Sequence, residues 1–406
     1  MEAAPQRQGC VVIPRESPHP VGFTGDEGAA LPPGLLDSLD RVNAALAVRT
    51  SPSTRRAYAT DWARFTRWCA SEERHAMPLP AHAFTVAAYL LDAAELDDEH
   101  GQARYSVTTL RRWLAAINQA HTSLGLPRPG ADPRVGEVLQ SVARTRASDG
   151  NGSQQRQAGA LRGPDLRAIM DTLQPRAIMA GTWALRDAAL LGLGYRCALR
   201  RSELAALRTG DIEPAPDGRW KVVLAASKTD QGGQGATLAL TATDTALTCV
   251  PCALVRWVRL TTALDEAVLA ATHQGQAPAR AITQTYLATH PEWHEHICDQ
   301  GMPTLTRAQR GGPLLRPIAP TGVPRARHMT GEAVHEVVRR RAATIGLDPA
   351  HYSGHSLRAG FVTDASAQGL PDQMIAVQTR HRSPQMIERY RRHYDPHSGN
   401  AEGHLS

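Results

Sequence analysis

Residues 148–159 read "SDGNGSQQRQAG", a stretch with no apolar side chain larger than the methyl of Ala158. Nothing in it can be buried, and its Gly, Ser and Gln keep it flexible, so it reads as a linker. A chain interrupted in this way must build a hydrophobic core on each side of the break, and a domain boundary belongs there. Each side has the means: 406 residues, 42% of them hydrophobic, are enough for two domains with their own interiors. Residues 1–34 are rich in Pro and Gly without any period, which predicts a disordered arm, and residues 396–406 form a tail.

Between arm and linker, residues 35–147 carry the helical period repeatedly. In "PSTRRAYATDWARFTRWCASEER" the side chains of Tyr58, Trp62, Phe65 and Trp68 follow at steps of four, three and three. That spacing is one face of an amphipathic helix, which Ser51 or Ser53 could cap. "AHAFTVAAYLLDAAEL" and "SVTTLRRWLAAINQAHTSLG" repeat the pattern, the second with Leu110, Trp113, Leu114 and Ile117 inward and Arg111 and Arg112 outward. A fourth helix follows from "DPRVGEVLQSVARTRA". The expectation is an all-α four-helix domain whose aromatic stripe is core.

Residues 160–395 predict something different: a helix to about 208, then two β-runs, "RWKVVLAAS" and "GATLALTAT", joined by the Gly-rich turn "KTDQGGQG". The second domain is therefore expected to be mainly α with a small antiparallel sheet, an α+β domain in a multidomain chain. Residues 262–312 read as an insertion with helical patches. No apolar run approaches the roughly 20 residues that span a bilayer, and the first residues lack a signal-peptide core, so the expectation is a cytoplasmic protein without a membrane partner. Six cysteines in a chain this long make no disulfide framework, and a net charge of +6 suits a polyanionic partner.

Lys221 and Lys228, both within "KVVLAASKTDQGG", are the chain's lysines, and every other one of its 45 basic residues is arginine. An arginine stays protonated at any usable pH, whereas a lysine amine can release a proton, so a hairpin lysine in such a chain is a candidate proton donor. "ALRRSEL" sets Arg200 and Glu203 three apart on one helix face, where the carboxylate can orient the guanidinium. "GHSLRAG" sets His355 and Arg358 at the same spacing, and "RHRSPQMIERYRR" sets His381 nine residues before Tyr390. Each pair alone is more often a surface ion pair or a capped turn.

Taken in order, Arg, hairpin Lys, His-x-x-Arg, His and Tyr resemble the catalytic set of the tyrosine recombinase (phage integrase) family. "GYRCALRRSELAALRTGDI" is similar to its first arginine box, "SKTDQGG" to its β-hairpin lysine, "HSLRAGF" to its His-x-x-Arg box and "RHRSPQMIERY" to its final helix. The resemblance covers residues 44–395 and implies a SAM-like core-binding domain at 35–147, then a catalytic domain of the DNA breaking-rejoining fold at 160–395. It assigns Arg200 and Arg358 to the scissile phosphate, Lys228 and His355 to proton transfer, His381 to phosphate contact and Tyr390 to nucleophilic attack. Glu203 would support Arg200, and Arg55, Arg56, Arg111 and Arg112 are candidate DNA contacts that position without specifying sequence. The implied partner is double-stranded DNA, held by a C-shaped clamp that is a monomer off DNA and a homotetramer on two paired sites, with DNA integration or recombination as its activity. No cofactor is expected, since neither a G-x-x-x-x-G-K-[ST] loop nor a paired-carboxylate metal site is found.

Two features depart from the plain pattern. Arg380 stands before His381 where family members commonly have glycine, and Tyr394 lies one turn beyond Tyr390, although the spacing from His381 favours Tyr390 as nucleophile. "CVPC", Cys249 to Cys252, with His294, His296 and Cys298 downstream in "HEHIC", would suffice on paper for zinc. Because a helix begins at that point and buried free cysteines are common, the expectation is no metal. Two rivals to a site-specific recombinase remain: a type IB topoisomerase-like enzyme that relaxes DNA as a monomer, and a DNA-binding regulator with an idle catalytic fold.

Overall fold

The computed structural model describes Ser38, Arg41, Ile387 and residues 51–99, 101–148, 158–173, 178–215, 219–225, 235–274, 279–290 and 293–381. Lys228, Tyr390 and Tyr394 lie outside the described residues, as do the expected arm and tail. The chain divides into two compact units, Met1–Gln157 and Ala158–Ser406.

The first unit is helical. Its helices are α1 (Pro52–Cys69), α2 (Ala83–Ala94), α3 (Val107–Thr122) and α4 (Pro133–Ser148). Ser51 caps α1 by accepting from the Thr54 amide at 3.2 Å, and Ser106 caps α3 through Thr109 at the same distance. Most of the predicted stripe turns inward as its period requires: Trp62 and Phe65 join Tyr89, Leu90, Leu110, Trp113 and Ile117 in one core, with Trp68 and Leu114 packed at its edge, while Tyr58 at the start of the stripe stays half-exposed. Arg146 reaches under this core to donate to the carbonyls of Tyr105 (2.7 Å) and Ala94 (2.6 Å), fixing α4 against the ends of α2 and α3. The Ala94 carbonyl, at the last position of α2, is one that the helix itself leaves without a partner.

The second unit has nine described helices and a sheet. The helices are α5 (Gly163–Thr172), α6 (Ile178–Arg196), α7 (Arg201–Ala206), α8 (Val250–Gln274), α9 (Ala279–Thr289), α10 (Arg307–Gly311), α11 (Gly331–Ala343), α12 (Ser356–Ala367) and α13 (Asp372–Thr379). The sheet is an antiparallel meander of β1 (Ile212–Pro214), β2 (Trp220–Leu224) and β3 (Ala236–Leu240), with Val222 paired to both Ile212 and Leu238. Alternation along β2 puts Trp220, Val222 and Leu224 into the core beside Leu190, Leu254, Trp257 and Leu357. No helix among the described residues is long and apolar enough to cross a membrane.

Three sequence boundaries shift. The single helix expected up to 208 is α5, α6 and α7, β1 adds a strand to the two expected, and α8 runs through position 262 without a break, so the insertion expected there begins as the continuation of a core helix. Helix α12 is seated unusually close to the backbone before α5. A Cβ on Gly360 would stand 1.8 Å from the Leu161 carbonyl oxygen, so only glycine fits. Asp364 in the same helix accepts from the Gly163 amide (2.7 Å), Arg162 Nε (2.6 Å) and the Tyr195 hydroxyl (2.7 Å), locking α12 to α5 and α6.

Candidate active site

The site is built around the turn between α6 and α7. Helix α6 ends with Ala198 in the left-handed region (φ 46°), and the Leu199 amide bonds back to the Gly194 carbonyl at 3.1 Å, a Schellman-type stop executed without glycine. This reversal exposes the Ala198 carbonyl to Arg358, whose Nη1 donates to it at 2.8 Å. Arg358 is 1% exposed. Two residues after Ala198, Arg200 occupies the N-cap of α7.

Arg200 and Glu203 therefore do not meet across a helix face. Glu203, in the first turn, reaches back to accept from the Arg200 amide (2.9 Å) and from Arg200 Nη1 (2.6 Å). The same carboxylate accepts from Arg380 Nη2 at 2.7 Å. Burial would raise the Glu203 pKa, but the charge of Arg380 and the bonds and charge of Arg200 outweigh it and hold the carboxyl below its ordinary value. One buried anion thus ties a cation from the α6–α7 turn to a cation at the end of α13.

Arg380 is the residue whose role the sequence did not disclose. It ends α13 in the left-handed conformation (φ 57°, ψ 40°), a conformation suited to glycine, while its side chain crosses to Glu203. Gln378 adds a second stitch by donating to the Arg196 carbonyl at 2.8 Å. The reversal at Arg380 delivers His381 to the same place. His381 Nδ1 lies 2.9 Å from Thr379 Oγ1, and because that hydroxyl donates to the Ile375 carbonyl at 2.7 Å, Nδ1 carries the ring proton and donates, leaving Nε2 as the acceptor.

Desolvation, then the charges of Arg358 and Arg200 and the neighbouring His355 and Arg380, hold the His381 pKa down to about 3. His355, the exposed N-cap of α12, is lowered by desolvation and by Arg358 and Arg200. Both rings are neutral at pH 7, set among three guanidiniums drawn from three separate segments. Such a cluster can receive a multivalent anion and move a proton beside it.

Of the other expected residues, Arg55, Arg56 and Arg111 lie on exposed positions of α1 and α3 in the first unit. Arg112 differs from them: its Nε and Nη2 grip the buried Asp61 carboxylate at 2.8 and 3.0 Å, so its fork is already engaged within the domain.

No family model matches the chain. The integrase/recombinase xerD homolog of Selenomonas ruminantium is 28% identical over 341 residues, 83% of this chain and 81% of that protein. The recombinase cre of Escherichia phage P1 is 27% identical over 239 residues, 55% of this chain and 63% of its own length. Among solved structures, the XerH site-specific recombinase bound to palindromic difH substrate aligns with 92% of this chain and 84% of that one, at 12% identity and a TM-score of 0.49. The Tn1549 transposon integrase in complex with transposon right end DNA aligns with 88% and 94%, at 12% identity and a TM-score of 0.45.

Proposed function

The chain belongs to the tyrosine recombinase (phage integrase) family, and on that premise we propose that it is a site-specific DNA recombinase that cuts and rejoins duplex DNA through a 3′-phosphotyrosine. The observation that carries this is the convergence of Arg200, Arg358 and two neutral histidines on the α6–α7 turn. Cleaving a phosphodiester requires fixed cations for the charge that develops on its nonbridging oxygens, and two positioned guanidiniums supply paired donors. Glu203 keeps Arg200 in place, and the Ala198 carbonyl keeps Arg358 in place.

Tyr390 is the proposed nucleophile. Its hydroxyl, with an ordinary pKa of about 10, attacks poorly until a base or positive field favours the phenolate. His355, neutral and at the exposed edge, is suited to take that proton. A bound phosphate would offset the two arginine charges that add to desolvation in depressing His381 and so raise its pKa toward the ordinary value, and His381 is proposed to contact that phosphate. Lys228 is proposed to protonate the departing 5′ oxygen. The bond energy stored in the phosphotyrosine lets a 5′ hydroxyl of another strand reverse the step, so exchange between two paired sites, in a homotetramer, needs no ATP. Arg55, Arg56 and Arg111 are proposed phosphate contacts of the first unit, which would lower affinity together with its salt dependence when removed.

The test begins by denaturing the full chain after incubation with a library of DNA fragments and sequencing what stays covalently attached. Two differently labelled duplexes carrying that sequence should then exchange strands, and Tyr390→Phe should bind them without any covalent band. Relaxation of supercoils with no exchange between duplexes, or a covalent band that survives Tyr390→Phe, would sink the proposal.

A further inference from the structure

Cys249, at the start of α8, was expected with Cys252 to be a buried free thiol. Both are buried free thiols, and the fold brings them against the segment that returns after α9. The Cys249, Cys252 and Cys298 sulfurs and a His296 ring nitrogen all lie within 4.8 Å of one another, while His294 of the same segment takes no part. Cys249 Sγ stands 3.8 Å from Cys298 Sγ, Cys252 Sγ 3.5 Å from His296 Nδ1, and Cys298 Sγ 3.8 Å from the same nitrogen.

We propose that Cys249, Cys252, His296 and Cys298 bind one zinc ion in a closed structural site. For zinc bonded to sulfur at about 2.3 Å and to nitrogen at about 2.05 Å in a tetrahedron, neighbouring donors stand about 3.8 Å (S to S) and about 3.6 Å (S to N) apart. The three separations of 3.8, 3.5 and 3.8 Å lie within about 0.2 Å of those edges. They are also far too long for a disulfide, whose sulfurs are about 2.05 Å apart.

The surroundings have the form of a ligand set's supporting shell. His296 Nε2 lies 3.1 Å from the Asp244 carbonyl, an acceptor only, so Nε2 carries the proton and Nδ1 turns its lone pair to the sulfurs. The Ile297 amide donates to Cys252 Sγ at 3.3 Å, a bond that stabilises a thiolate. Cys249 and Cys252 are fully buried at the core's edge, whereas His296 is exposed and gives the ion a way in. A C-x-x-C pair completed by H-x-C from a distant segment is also a spacing suited to structural zinc.

The ion would fasten the return of the 262–312 segment to the core. Trp293 and Ile297 are buried beside α8, Arg256 Nη2 donates to the Glu295 carbonyl at 2.5 Å, and Arg259 donates to Gln300 at 2.8 Å. The same ligand set is anchored through Asp244 to the turn that leaves β3. Zinc there would brace the end of β3, acting on structure without touching the reacting atoms.

The full chain purified in reductant without chelator should carry about one zinc per chain by mass spectrometry of the elements. Replacement by cobalt(II) should give the intense visible bands of a tetrahedral thiolate site. Cys252→Ser and Cys298→Ser should each lose the metal, while His296→Cys should keep it and strengthen the sulfur-to-cobalt bands. Stripping with a strong chelator should lower the melting temperature by several degrees, restored by zinc and not by magnesium. Less than a tenth of an equivalent of zinc together with no cobalt spectrum would overturn the proposal. So would stoichiometric iron or copper in its place, or a Cys249–Cys298 disulfide found in unreduced peptides. Because these readouts do not involve DNA, they stand or fall separately from the recombinase assignment.

Discussion

Arg380 gives the structure its most discriminating stability test, because its backbone and side chain pull in opposite directions. Arg380→Ala and Arg380→Gly both remove the bonds to the Glu203 carboxylate (2.7 Å) and the Gln378 carbonyl (3.2 Å). A hydrogen bond to a charged group contributes about 1.5–3 kcal/mol, and the lower part of that range applies here because Glu203 keeps both bonds from Arg200. The two variants differ in the backbone. Alanine must still adopt φ 57°, which costs an L-residue about 1–2 kcal/mol, whereas glycine adopts it without strain. Part of that advantage is lost to the greater freedom of glycine in the unfolded chain, about 0.5–1 kcal/mol.

The glycine variant should therefore be more stable than the alanine variant by about 1 kcal/mol and, because the parent arginine bears the same strain, less stable than the parent by only about 0.5–1 kcal/mol. In a domain of this size the difference between the variants is about 2–4 °C in melting temperature. Urea and thermal unfolding of the full chain, followed by near-UV circular dichroism, would measure it. Equal stabilities, or an alanine variant more stable than the glycine one, would refute the assignment of strain at this position. Both variants should retain DNA cleavage if Arg380 serves only to hold Glu203 and aim His381.

The pH dependence should identify His381. Its folded pKa of about 3 lies below the ordinary 6.5, so between those values the unfolded chain binds a proton that the folded site refuses, and stability falls as pH is lowered through that window. At pH 5 the loss amounts to at most about 2 kcal/mol, reduced by whatever screening solvent provides at a half-buried ring. His381→Gln should lose less stability than the parent between pH 7 and pH 5, and an identical loss would place the titration elsewhere. Lys228→Arg keeps the charge but removes a donor able to release its proton, so cleavage should slow by about 100-fold or more. A bridging sulfur in place of the 5′ oxygen, with a thiol pKa of about 8.5, needs little protonation to leave and should restore the rate, while Arg200→Ala should stay slow on both substrates. Equal defects of Lys228→Arg on oxygen and sulfur would show that the lysine holds phosphate or structure.

What could be read from the sequence was what repeats or what is local. The stripe of Trp62 and Phe65 has only one way to be buried, so the four helices of the first unit followed from their period. Arg200, His355, Arg358 and His381 were legible as residue types in a fixed order. Their arrangement was not, because it depends on two left-handed turns at Ala198 and Arg380, which propensity assigns to glycine. The bond from Arg380 to Glu203 joins the end of α13 to the start of α7, and no local window contains both. Read along the chain, Arg380 was a missing glycine; read in space, it is the second cation on a buried carboxylate.

The meeting of the cysteines with His296 was hidden for the same reason. "CVPC" supplies half a ligand set, and the other half arrives only because the segment after α9 packs its Trp293 and Ile297 against α8. His294 and His296 are equivalent on a spacing count, and the Asp244 carbonyl selects between them by fixing the tautomer of one. Protonation at the candidate site is likewise a property of the fold. His381 is neutral because burial strips water from its ring and Arg358 on α12 and Arg200 beside α7 add their charges, and a phosphate between those two arginines would relieve only the second cause.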